Sequence, residues 1–132
     1  MFFIMGVSQG QKQLCILARA FAADSRLLIM DEPENALDLQ HRQQLLRLTR
    51  QWLKTEGRSV LLSLHDPGLA LNRCDRLLLL KEGRICALLH PKEDPLPQME
   101  AALEEIYGPL TLARCRDKQG CSHLTVLYEE DL

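Results

Sequence analysis

Two carboxylates stand side by side behind a short apolar run, Leu27-Leu28-Ile29-Met30-Asp31-Glu32. A carboxylate at a rigid strand end can hold Mg²⁺, and a neighbouring one can orient a water and accept its proton. Both are needs of phosphoryl transfer from a nucleotide. Two acids after a strand are also the composition of a solvated turn. Just upstream, Val7-Ser8-Gln9-Gly10-Gln11 opens a helical segment. A helix start offers free N–H groups and the positive end of a dipole, which suits a phosphate, and Gly10 lets backbone approach closely. Ser8 with Gln11 also forms a capping box, which accounts for both residues without a ligand. Cys115, Cys121 and His123 do not have the spacing of a common zinc site, and no fourth ligand accompanies them, so they read as incidental thiols and a histidine on a hairpin.

The elements that must position these residues follow from periodicity. Ser8 to Ala23 reads as a helix with Leu14, Ala18, Phe21 and Ala22 on one face. Leu27 to Met30 suits a buried strand of a parallel sheet, being short, flanked and wholly apolar. Asp38 can cap a helix from Leu39 to about Glu56, its inward face marked by Leu45, Leu48 and Trp52 and its end by Gly57. Ser59 to Leu64 is a second buried strand, closed by His65-Asp66-Pro67, where Asp66 caps a short helix. Arg76 to Leu80 and Arg84 to Leu89 form a hairpin about Glu82-Gly83. Pro97 to Tyr107 is a helix stopped by Gly108, and Leu110 to Arg116 pairs with His123 to Tyr128 across Asp117 to Gly120. Strands and helices alternate through the middle of the chain, which argues the α/β class.

Composition narrows the function. With 132 residues, 46% hydrophobic and 26% charged, the chain can build one domain with a buried core. A net charge of -2 without a basic stripe gives no electrostatic case for nucleic acid. No apolar run approaches about 18 residues, the length of a membrane-spanning helix. Five scattered cysteines with no Cys-x-x-Cys fit a reduced, cytoplasmic compartment.

Taken in order, these motifs resemble the ABC-type ATPases. Val7 to Gln11 is similar to their signature motif, Leu27 to Glu32 to their Walker B strand, Asn35-Ala36-Leu37-Asp38 to their D-loop, and His65 to their switch histidine. The resemblance runs from Val7 to Leu89 and rests on four motifs in family order at family-like spacing. It implies a metal-holding role for Asp31, a general base in Glu32, and contact of His65 with the terminal phosphate. It further implies that Ser8, Gly10 and Gln11 touch ATP held by the opposite subunit of a dimer, and that Asp38 lies at that interface. The implied cofactors are ATP and Mg²⁺. The implied partners are a second ATPase subunit and membrane permease subunits, with no nucleic acid, at the inner face of the cell membrane. Gln9 and Asn35 stand where the family often has glycine and serine.

Within the family, Leu64-His65-Asp66-Pro67, Cys74-Asp75-Arg76 and the turn at Lys81 to Ile85 resemble import ATPases, and Ala102 to Gly108 is similar to those serving iron chelates or cobalamin. One family element is missing from these residues: no Gly-rich loop ending in Lys-Ser or Lys-Thr occurs in them. The reading is therefore a partial P-loop NTPase domain of ABC type, residues 1–132, lacking its N-terminal half, from a subunit that couples ATP hydrolysis to import. Its rivals are a non-catalytic remnant that binds a partner subunit and a fragment of an ABC-type DNA-repair ATPase. In the family, the strand leading to the phosphate loop lies beside the strand that ends at His65. The resemblance thus predicts an unpaired or abnormally covered side on Ser59 to Leu64.

Overall fold

The computed structural model describes residues 9–35 and 37–129. Ser8, with its capping box, and Ala36 of the D-loop-like segment lie outside the described residues. The chain divides into two compact units, residues 1–65 and 66–132.

The first unit holds α1 (Gln9–Ala22), β1 (Leu27–Met30), α2 (Leu39–Trp52) and β2 (Ser59–Leu62). β1 and β2 are parallel, with Leu27 opposite Ser59 and Met30 opposite Leu62. Side chains alternate across such a pair, so Leu28 and Val60 face one way and Leu27, Ile29 and Leu61 the other. The first face packs under both helices, against Leu17 of α1 and Leu45 and Trp52 of α2, with Leu37 beside them. Phe21 stacks on the Trp52 ring at 5.7 Å between centroids, and the Arg58 guanidinium lies 4.6 Å above the same ring.

Two expectations are corrected here. The inward face of α1 is Leu14, Leu17, Ala20 and Phe21, and Ala18 and Ala22 are exposed. Leu17 lies three residues from Leu14 and four from Phe21, a tighter stripe than one through Ala18. The strands are not buried on both faces either. Leu27, Ile29 and Leu61 are 52%, 67% and 61% exposed, because both helices cover the same side. β2 pairs with β1 alone among the described residues, so its far edge is open, as the sequence predicts.

Helix α2 stops at Trp52 rather than near Glu56. Beyond it the chain turns through Lys54 N–H to Gln51 O and Thr55 N–H to Trp52 O, and Gly57 takes a φ of +78°. The Arg58 side chain reaches back to Trp52 O at 3.2 Å, which closes the turn over the ring.

The second unit holds α3 (Pro67–Arg73), β3 (Leu77–Lys81), β4 (Arg84–Leu89), α4 (Leu96–Tyr107), β5 (Leu110–Arg116) and β6 (Ser122–Tyr128). β3–β4 and β5–β6 are separate antiparallel hairpins. The first turns at Glu82 and Gly83, both at positive φ, the conformation of a tight primed turn. Its register shifts at Leu79/Leu80, leaving Cys86 as the extra residue of a bulge. Met99 and Leu103 of α4 are fully buried among Leu71, Leu77, Leu89, Leu110 and Leu124. Asn72 ties α3 to β6: its amide donates to Leu124 O at 2.8 Å, and Leu124 N–H donates back at 2.8 Å.

Candidate functional site

The candidate site is built where β1 and β2 end together. Their parallel register places Met30 opposite Leu62, and Ser63 N–H continues the ladder to Met30 O at 3.0 Å. Ser63 therefore arrives beside Asp31. Its hydroxyl donates to Asp31 Oδ1 at 2.6 Å and accepts the Glu32 N–H at 2.7 Å. One small side chain thus fixes both acids of the Asp31-Glu32 pair.

Glu32 has a φ of +45°, a left-handed conformation that costs a non-glycine residue about 1–3 kcal/mol. Glu32 Oε1 pairs with His65 Nε2, and Glu32 Oε2 accepts the Asn35 side-chain amide. The Asn35 N–H bonds Glu32 O at 3.0 Å, so the loop curls back on its own start. Asp31, Glu32 and His65 are brought together within the first unit.

Glu34, between them in sequence, is 5% exposed. One of its oxygens accepts the His65 N–H at 3.4 Å, and the other, Oε2, is buried with no hydrogen-bond partner. Leu37 N–H bonds Glu34 O at 3.2 Å. The loop from Glu32 to Asp38 is therefore tethered to the end of the β2 segment by two acidic side chains rather than one.

A second cluster lies at the starts of α1 and α2. Asp38 caps α2: its Oδ1 accepts the His41 N–H at 2.8 Å and lies 2.8 Å from His41 Nδ1. The His41 N–H, and after it the His41 ring, holds the Asp38 carboxyl below the usual carboxylate range. Gly10 is buried against the same ring. A Cβ at Gly10 would come within 2.7–2.9 Å of three ring atoms, a separation that real Cβ atoms do not show. Gln11 is exposed on the first turn of α1.

Sequence patterns point to Asp31, Glu32, His65, Gly10, Gln11 and Asp38 but not to Ser63, Glu34 or His41. The signal for Ser63 is the strand register, which places it opposite the position after Met30. For Glu34 and His41 no signal exists in residue type, since an acid in a turn and a histidine in a helix are ordinary.

Among the described residues no group of three or more His, Cys, Asp or Glu side chains could hold a metal ion. A protein-only metal cage is thus not built here. Asp31 with the Ser63 hydroxyl is a hard-oxygen pair, the donor set that suits Mg²⁺ when water and phosphate oxygens complete the shell. In the second unit, His123 pairs with Asp117 Oδ2 at 2.9 Å, and Cys115 Sγ lies 3.3 Å from Thr125 Oγ1. No helix among the described residues is long and apolar enough to cross a membrane.

Comparison with known proteins gives the fold a context. The chain is 34% identical over 107 residues to the hemin import ATP-binding protein of Vibrio vulnificus, which covers 77% of this chain and 40% of that protein. It is 35% identical over 121 residues to the hemin import ATP-binding protein of Pseudomonas putida, covering 88% of this chain and 46% of that one. It is also 35% identical over 82 residues to the cobalamin import ATP-binding protein of Halobacterium salinarum, covering 62% and 21%. A solved inward-facing transporter of the metal-chelate ABC type superposes with a TM-score of 0.78 at 25% identity, covering 93% of this chain and 48% of its own. No protein-family model matches. The chain spans less than half the length of these curated relatives.

Proposed function

From the premise that this chain has the sequence and fold of the C-terminal part of an ABC import ATPase, we propose that it serves ATP hydrolysis coupled to uptake through a membrane permease. The cargo class this reading favours is iron chelates or related metal complexes. We read both units as parts of one ATPase domain working at the inner face of the membrane, paired with a second ATPase subunit. The observation that carries the proposal is the meeting of Asp31, Glu32 and His65 where β1 and β2 end, with Ser63 bonded to both acids and His65 paired with Glu32.

In this reading Asp31 and the Ser63 hydroxyl would hold Mg²⁺, which would neutralise charge on the phosphate oxygens. Glu32 orients the attacking water and accepts its proton. His65, hydrogen-bonded to Glu32 Oε1, keeps the base oriented and turns to the terminal phosphate when a nucleotide arrives. Gly10 and Gln11 at the start of α1, with Ser8 before them in sequence, cover a nucleotide seated on the opposite subunit, and Asp38 meets that subunit beside them. A helix start suits this task because its free N–H groups point at the anion.

Positioning the base is one part of catalysis. Neutralising the triphosphate is usually the larger one, and it takes a Gly-rich loop of backbone N–H groups ending in Lys-Ser or Lys-Thr, which residues 1–132 do not contain. This chain by itself is therefore expected to bind Mg-ATP too weakly to saturate at millimolar concentration. The test is a Mg-ATP titration of the chain alone and mixed with the Vibrio vulnificus relative, following phosphate release. In a chimera that joins the phosphate-loop half of the Vibrio vulnificus relative to this chain, Glu32→Gln should lower turnover by about 10²–10⁴-fold while nucleotide binding persists. Saturable binding and Glu32-dependent turnover by the chain alone would overturn the division of labour. Undiminished turnover of the Glu32→Gln chimera would remove Glu32 from the chemistry.

A further inference from the structure

We propose that His41 is a positioning residue that locks the start of α1 to the loop ending at Asp38, so that both meet the opposite subunit's nucleotide as one rigid surface. The inference rests on the function proposed above, which gives Gly10 and Asp38 their nucleotide-facing and subunit-facing roles. What it adds is the link between them.

Three observations build it. The His41 ring is three-quarters buried and stands directly on Gly10, where a Cβ would meet Cγ at 2.7 Å and both Cδ2 and Nδ1 at 2.9 Å. The same ring is held by Asp38, through Nδ1 at 2.8 Å. The Asp38 oxygen also accepts the His41 N–H at 2.8 Å, so one carboxylate oxygen both caps α2 and holds the ring. One imidazole therefore spans two chain segments 28 residues apart in sequence, Gly10 and Asp38. The absence of a side chain at Gly10 is what lets the ring approach this closely.

The consequence is geometric. With the ring in place, the first turn of α1 has one position relative to Asp38. Without it, the space opposite Gly10 is empty and the two segments move independently. Catalytic assemblies tolerate little of this, since displacement by about 1 Å can cost on the order of 10²-fold.

The experiment uses the full chain with the hemin import ATP-binding protein of Vibrio vulnificus, and sedimentation reads the Mg-ATP-dependent association of the two. His41→Ala should weaken that association at least about tenfold, on the scale of such misplacement, while its melting temperature stays close to that of the parent chain. His41→Asn, whose side-chain amide can still reach Asp38 and whose Cγ still rests on Gly10, should recover most of the loss. Association by the parent chain and equal association by His41→Ala would overturn the inference and leave the proposed function standing. No Mg-ATP-dependent association by the parent chain would overturn the proposed function and the inference with it. If His41→Ala does not fold, Gly10→Ala decides: it should be strongly destabilising beside His41, and the double variant Gly10→Ala/His41→Ala, which puts a methyl into the space the ring leaves, should regain part of the stability that His41→Ala loses. A Gly10→Ala chain as stable as the parent would show that the ring does not set the spacing.

Discussion

Replacing Ser63 by alanine removes one hydroxyl and two hydrogen bonds. The bond to Asp31 Oδ1, at 2.6 Å, has an ionised acceptor, and such bonds contribute about 1.5–3 kcal/mol where water cannot compete. The bond accepted from the Glu32 N–H, at 2.7 Å, is of the neutral kind and contributes about 0.5–1.5 kcal/mol. Ser63 and Asp31 are exposed, so water recovers part of both, and the low ends of the ranges apply. Their sum, about 2 kcal/mol, is an upper figure, and a loss of about 1–2 kcal/mol is expected. For a chain of this size that lowers the melting temperature by roughly 3–8 °C. Urea unfolding of the parent chain, Ser63→Ala and Ser63→Thr measures it, with threonine retaining the hydroxyl and most of the stability. A double-mutant cycle with Asp31→Asn isolates the charged bond. Strict additivity in that cycle, or a Ser63→Ala chain as stable as the parent, would refute the claim that one hydroxyl organises the strand end.

Three further outcomes follow from the same geometry. Leu103→Ala, at a fully buried position under α4, should cost about 2–5 kcal/mol in urea unfolding, and a cost below about 1 kcal/mol would contradict the packing around Met99 and Leu110. Glu82→Asn should stabilise the chain by up to about 1 kcal/mol, since φ is +49° there and Asn-Gly is the preferred pair for this turn; a destabilised variant would reject the turn geometry. Asp38 titrates below the usual carboxylate range because the His41 N–H and then its ring favour the charged form. Its contribution to stability is therefore present above the ordinary carboxylate pKa and is lost as pH falls through its depressed folded value. The stability gap between the parent chain and Asp38→Asn should close on acidification, and a gap independent of pH from neutral to acid would contradict the pairing.

The elements were legible because their signals are local. The caps at Asp38 and Asp66, the proline at the start of α3, and the glycine after α4 mark boundaries by residue type, and the structure places the elements there within a few residues. The end of α2 is the exception. Gly57 carries the stop signal, but the helix has already unwound at Trp52, where the Arg58 side chain takes the ring face and the Trp52 carbonyl. That contact runs between residues six apart across a turn and leaves no trace in helical periodicity. The exposure of Leu27, Ile29 and Leu61 was hidden for a different reason. A wholly apolar strand reads as buried on both faces, while which faces are covered depends on where the helices pack.

The site divides along the same line. Asp31, Glu32 and His65 could be singled out because acids and a histidine at strand ends are recognisable as residue types. What holds them could not, because it depends on the alignment of two strands whose ends, Met30 and Leu62, are 32 positions apart. Slip β2 by one residue against β1 and Ser63 no longer stands beside Asp31, although every motif remains in the sequence. A one-residue slip also turns Val60 from the face under α1 and α2 to the exposed face. The hydrophobic alternation that buries Leu28 and Val60 therefore selects the register, and the register delivers the hydroxyl to the two acids. In this chain the core of the first unit and the geometry of its candidate site are set by one and the same pairing.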